Sequence, residues 1–170
     1  MITLQFSRFL TLVFISAFLA LAHATPKSGS ITGVVAGIAD GDTIYMWVDG
    51  KKVKMRLAQI DAPEKMQPFG NKAEQSLHRL VRGKEVNATW TKLDGYKRPL
   101  ITLHADGISV NEALVKQGMA WAYTEYLKDR QLLTLQKQAK EARIGLWTED
   151  NPIPPWEWRK HQKSIHLVDW

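Results

Sequence analysis

Thr43-Ile-Tyr-Met-Trp-Val-Asp-Gly-Lys-Lys-Val-Lys-Met-Arg-Leu57 reads as a β-hairpin. Asp49-Gly50 is a strong two-residue hairpin signal, flanked on both sides by strand-forming residues. After the turn Val53, Met55 and Leu57 alternate with Lys52, Lys54 and Arg56. Such a strand puts one face in a core and a basic face toward solvent. Upstream, Ile31 to Ala39 is apolar and β-branched and predicts another strand. Downstream, Ala73, Leu77, Leu80 and Val81 recur at helical spacing, with Gly83 where a C-terminal cap belongs. Glu85 to Lys92 and Arg98 to Ala105 predict two more strands, and Asp106-Gly107 the next turn. Ser109-Val-Asn-Glu112 is a capping box that opens a second helix, which Gly118 ends. A third helix is expected over Asp129 to Ala142. Three strands, a helix, two strands and two helices fit an α+β domain built on a five-stranded OB-type barrel.

The ends of the chain read differently. Arg8 precedes an apolar run from Phe9 to Ala22, shorter than the roughly 20 residues of a membrane span, and Ala22-His23-Ala24 is an A-x-A cleavage pattern. Residues 1–24 are therefore expected to be a signal peptide and 25–30 a linker. The domain is expected over 31–150, and 151–170 form a Pro/Trp-rich basic tail. The protein is expected to be exported, to periplasm or medium, with no stable membrane association after cleavage. There is no cysteine, which excludes disulfides and thiolate metal sites. The formal net charge of +6 favours polyanionic partners.

Two polar clusters flank the hairpin: Asp40-Gly41-Asp42-Thr43 and Arg56-Leu-Ala-Gln-Ile-Asp-Ala-Pro-Glu64. An EF-hand loop starting at Asp40 is excluded, because Ile44 and Lys51 stand where ligands are required. Pro63 forces Ala62 out of the α region. The resulting corner can offer the Ala62 carbonyl beside the Asp61 carboxylate, an oxygen mixture suited to calcium. Glu64 then lies where it could deprotonate a water. Arg56 and Asp61 have opposite strand parity and can share a pocket only through a bulge or bend, expected near Ala58 to Ile60. In the tail, Trp156, Trp158, Arg159, Lys160 and Lys163 could form a stacking surface for single strands or pack back on the domain.

These motifs, with Phe69-Gly70, Asp94-Gly-Tyr-Lys-Arg98, the run from Ala105 to Ala120 and Gly145-Leu-Trp-Thr-Glu-Asp-Asn151, resemble the staphylococcal nuclease (thermonuclease) family. The resemblance spans about Ile31 to Asn151. It implies a calcium-dependent nuclease on an OB-type barrel with three helices, acting on DNA and RNA with little sequence specificity. It gives Asp42, Asp61 and the Ala62 carbonyl as metal ligands, and Glu64 as general base. Arg56 and Arg98 become the phosphate-binding catalytic arginines, and Tyr96 and Tyr123 contact nucleotide, with Lys97 a further substrate-binding candidate. Ala62 replaces a frequent threonine, which spares a main-chain ligand. Lys97 replaces a usual glycine. The resemblance also implies cleavage of the 5′ P–O bond. A monomer is expected. The competing expectation is an OB-type nucleic-acid-binding module without catalysis.

Overall fold

The computed structural model describes residues 27–168; the expected signal peptide, 1–24, lies outside the described residues. The hairpin forms as its alternation requires. β3 (Thr43–Val48) pairs antiparallel with β4 (Lys51–Leu57), in a register that sets Thr43 opposite Arg56 and Trp47 opposite Lys52. Ile44, Met46, Met55 and Leu57 are buried. On the outer face Lys52 Nζ lies 4.8 Å above the Tyr45 ring.

The expected first strand is split in two. β1 (Gly29–Val34) pairs with β6 (Glu85–Leu93), whereas β2 (Gly37–Asp40) pairs with β3. β6 pairs in turn with β7 (Pro99–Ala105), and β7 runs parallel to β4 through Arg56–Leu100 and Leu57–Ile101. The sheet order is β1-β6-β7-β4-β3-β2. Its two edges are thus consecutive pieces of one bent strand, and the sheet curls onto itself. Counted as one, they leave the five strands of an OB-type barrel. Gly29 and Ser30, expected in the linker, already belong to β1.

β5 (Ile60–Asp61) leaves the barrel and pairs with β9 (Trp121–Ala122); β8 (Ile108–Ser109) turns back and pairs antiparallel with the end of β7. Helix α1 (Gly70–Val81) starts earlier than its apolar pattern suggests. Helix α2 (Val110–Lys116) opens on the expected cap, with Ser109 Oγ accepting from Glu112 N at 3.3 Å. Helix α3 is Gln131–Glu141. The expected count of three helices is corrected by a fourth, α4 (Pro155–Val168), in what reads from sequence as a tail. It starts at Pro155, whose fixed φ suits the first turn of a helix.

The barrel core joins Leu57, Ile101 and Leu103 to Leu77 and Val81 of α1 and Leu114 of α2. A second apolar cluster gathers Trp121, Ala139, Leu146 and Trp147, with Phe69 and Trp156 packed against it. That cluster seats the start of α4. Among the described residues no helix is long and apolar enough to cross a membrane.

Candidate active site

The strand does bend before Asp61. β4 ends at Leu57, and Gln59 takes φ 64°, a left-handed conformation that costs a non-glycine residue about 1 kcal/mol or more. The surroundings hold it there. The Gln59 carbonyl accepts from Tyr123 N at 2.9 Å, and Gln59 Oε1 accepts from Lys128 N and Asp129 N at 2.6 and 2.8 Å. Buried Asn111 donates to the carbonyls of Ala58 and Ile101 at 3.0 and 3.2 Å. The bend thereby returns Asp61 to the face that carries Arg56.

Arg56 bridges the two aspartates. Its Nη1 lies 2.6 Å from Asp42 Oδ1 and its Nη2 2.7 Å from Asp61 Oδ1; Nη2 also donates to the Ile60 carbonyl at 3.3 Å. Asp42 further accepts from Thr43 Oγ1 at 2.9 Å and from Ala62 N at 3.0 Å. Burial pushes the Asp42 carboxyl above its ordinary value, against the pull of Arg56. For Arg56, burial disfavours the charged form, but pairing with Asp42 and Asp61 outweighs it and holds the guanidinium above its ordinary value.

Two glycines permit this packing. A Cβ on Gly41 would lie 2.7 Å from Ala73 Cβ and 2.8 Å from Ala62 Cβ, so the loop between the aspartates can approach α1 only without a side chain. A Cβ on Gly70 would overlap the Glu64 carbonyl oxygen. Glu64 itself sits in a tight turn: its carbonyl accepts from Gln67 N at 2.8 Å, and its N–H donates to Gln67 Oε1 at 3.1 Å.

Two further sequence candidates, Tyr96 and Tyr123, line a neighbouring cavity of about 360 Å³ together with Arg56 and Asp94. The turn from Asp94 to Arg98 is closed by the Asp94 carboxylate, whose Oδ1 accepts from Tyr96 N and Arg98 N, both at 2.9 Å. Lys97 takes φ 62° there, the backbone a glycine would adopt more cheaply. Arg98 is paired with Asp94 at 2.7 Å and stacks 5.3 Å from the Tyr96 ring. Its partners are thus in its own turn, not in the Asp42–Asp61–Glu64 cluster. Burial disfavours the Asp94 carboxylate, but the bonds from Arg98 and Tyr96 outweigh it and hold Asp94 below its ordinary value. Lys97 is exposed, as is Tyr96.

Sequence reasoning did not foresee Arg159 in the cluster. From α4 its Nη2 reaches Asp61 Oδ2 at 2.8 Å, and its Nη1 reaches Asp61 Oδ1 at 3.2 Å and Glu64 Oε1 at 2.7 Å. Burial disfavours its charge, but these bonds raise the guanidinium above its ordinary value. Trp156 lies parallel to Tyr123, with ring centroids 5.3 Å apart and planes 18° apart. The signal that could have found it emerges only with Arg98 paired to Asp94: Asp42, Asp61 and Glu64 then face Arg56 alone, a surplus of negative charge that the sequence reading assigns to calcium. Among the described residues no three carboxylate or histidine side chains close on one point; the two guanidinium groups stand among the three carboxylates.

Residues 54–149, more than half of the chain, match the family described as staphylococcal nuclease homologue. The chain belongs to this family. A protein named uncharacterized endonuclease from Escherichia coli O157:H7 is 42% identical over 134 residues, covering 78% of this chain and 87% of that protein. One of the same name from Haemophilus influenzae is 44% identical over 137 residues, covering 80% and 77%. A micrococcal nuclease from Shigella flexneri is 37% identical over 161 residues, covering 88% and 92%. The family places this chain among proteins that act on nucleic acids, and its OB-type barrel agrees with that membership.

Proposed function

We propose that this chain is an exported, calcium-dependent nuclease that hydrolyses phosphodiester bonds of DNA and RNA with little sequence preference, and that it acts as a monomer. The observation that carries the reading is the Arg56 bridge between Asp42 and Asp61, with Glu64 one corner away. The donor set is all oxygen, which suits a hard cation and excludes a soft one. Asp42, Asp61 and the Ala62 carbonyl would hold Ca²⁺. When bound, that ion supplies Lewis-acid stabilisation of a phosphate oxygen and a lowered pKa for water.

The rest is done by the chain itself. Glu64 takes a proton from the attacking water as its oxygen bonds to phosphorus; the 5′ P–O bond breaks and the leaving 5′ oxygen takes a proton from solvent water. A side chain in that role contributes about 10²–10⁴-fold in rate. Gln67 fixes the Glu64 backbone, so the carboxylate approaches from a set direction. Arg56 uses three of its N–H groups on Asp42, Asp61 and Ile60; of five in a guanidinium, two remain for phosphoryl oxygens. Arg98 joins the phosphate if it leaves Asp94. Tyr96 and Tyr123 offer ring faces for bases, which every base can use, so sequence preference is weak. Lys97 adds positive charge at the rim.

The test is hydrolysis of plasmid and RNA with calcium and with excess chelator. Glu64→Gln should fold, bind single-stranded DNA and lose about 10²–10⁴-fold in rate. Full activity in chelator would remove the cation from the reading. A folded wild-type protein that binds DNA and cuts nothing in calcium would leave the non-catalytic binding module.

A further inference from the structure

The oxygens that the nuclease reading assigns to a cation already have a partner. Arg159 spans both oxygens of Asp61, whose side chain is 1% exposed, and shares one N–H group's nitrogen with Glu64. Three residues earlier on the same helix, Trp156 covers the Tyr123 ring. Positions i and i+3 share a helix face, so one face of α4 engages both the carboxylates and the aromatic platform.

We propose that α4 is an intramolecular competitor of the active site, with Arg159 standing in for the divalent cation and Trp156 for a nucleic-acid base. The proposal rests on the nuclease reading. Asp61 Oδ1 already accepts from both Arg56 and Arg159 and Oδ2 from Arg159, and a guanidinium charge at 2.8 Å repels a divalent ion from the same carboxylate, so cation and Arg159 compete at Asp61. A ring stacked on Tyr123 likewise excludes a base from that face.

The helix is seated so that it can be displaced. Of residues 155–164 only Pro155 is buried, and Lys160 to Ser164 are exposed. Among the described residues its contacts include Gln67 Nε2 to the Ile153 carbonyl at 2.6 Å, Trp156 edge-on to Trp121 at 5.7 Å and parallel to Tyr123 at 5.3 Å, and the Arg159 fork. A divalent ion brings twice the charge of Arg159, which bonds Asp61 and Glu64, and by mass action rising cation concentration favours the exchange. Gln67 touches both sides of it, since its Oε1 holds the Glu64 N–H while its Nε2 holds the segment entering α4. In this arrangement the apparent affinity for the cation is the intrinsic one reduced by the fraction of molecules with Arg159 withdrawn.

The experiment is calorimetric titration of Ca²⁺ into the full chain, which reads binding without turnover. Arg159→Gln should tighten apparent Ca²⁺ affinity by about 5–150-fold, the usual span for two coupled sites. Arg159→Lys keeps the charge but not the fork, should tighten it by less, and carries the test if circular dichroism shows the glutamine variant unfolded. Trp156→Ala should tighten binding of a short single-stranded DNA in chelator. Calcium affinity unchanged or weakened in the Arg159 variants, while Asp61→Asn abolishes it in the wild-type background, would overturn the competition and leave the cation reading standing. Absence of calcium binding in wild type and variants alike would overturn both. Binding gained only when Arg159 is replaced would support both.

Discussion

Replacing Arg56 by methionine tests the centre of the site. The substitution leaves Asp42 and Asp61 facing each other without their bridge, at side-chain exposures of 5% and 1%. Asp61 keeps Arg159, so the larger loss falls on Asp42, which retains only Thr43 Oγ1 and Ala62 N besides its own turn. The cost has a ceiling. Rather than stay charged and unpaired, Asp42 can take up a proton on folding. From an ordinary value of 3.8, doing so at pH 7 costs about 4.4 kcal/mol at 1.36 kcal/mol per pH unit, and the loss against wild type stays below that because burial already raises Asp42 there. Breaking a buried pair ordinarily costs about 3–5 kcal/mol, so roughly 3–4 kcal/mol is expected at pH 7.

The sign with pH follows. In the variant the folded Asp42 pKa lies far above the unfolded one, so the protonated carboxyl is tolerated below about pH 4 and penalised as pH rises. The deficit against wild type should therefore shrink by up to about 1.4 kcal/mol per unit on acidification. Urea unfolding in chelator between pH 4.5 and 7.5 measures it, and Asp42→Asn in the same chain should restore much of the loss. A deficit under about 1 kcal/mol at pH 7, or one independent of pH, would mean that Asp42 does not depend on Arg56 for its charge.

Gly70→Ala should destabilise the fold by roughly 1–3 kcal/mol, the scale of overpacking, because its Cβ meets backbone and not a flexible side chain; thermal melts and nuclease rate should fall together, since Glu64 must shift. Lys97→Gly relieves an exposed left-handed residue and should raise stability by a few tenths to about 1 kcal/mol in urea unfolding. Asp94 is held below its ordinary value, so its turn contributes stability above the unfolded value of 3.8 and loses it as pH falls through the lowered folded value; carboxyl NMR titration of Asp94 should show the depressed midpoint, and Asp94→Asn should abolish that acid-side dependence.

The hairpin register was legible because period-two alternation and Asp49-Gly50 together leave one way to pair β3 with β4, and that pairing sets Arg56 beside Asp42. The bend at Gln59 was legible as a necessity of parity. Its means were not: Asn111, Tyr123 and Lys128 reach it from segments whose approach no local pattern encodes. The split of the first strand at Val35-Ala36 was hidden by an unbroken apolar run, since a barrel strand facing two neighbours reads like one long strand. The placement of α4 was hidden for a different reason. Proline ahead of Trp-Glu-Trp-Arg announces a helix start, but the surplus of carboxylate charge that hints where Arg159 goes emerges only with Arg98 paired to Asp94. Lys97 shows that glycine's backbone can be kept after its side chain has changed.

The bent first strand has a consequence for the integrity of the sheet. Its halves pair with β6 on one side and β3 on the other, so the covalent link at Val35-Ala36 is what joins the two ends of the ring. A proteolytic nick there, or a circular permutation that opens the chain at that peptide, would release two strand edges at once. Unpaired edges are templates for pairing with other chains. The same sequence, cut at one bond, would then exchange a self-contained barrel for a surface prone to oligomerise.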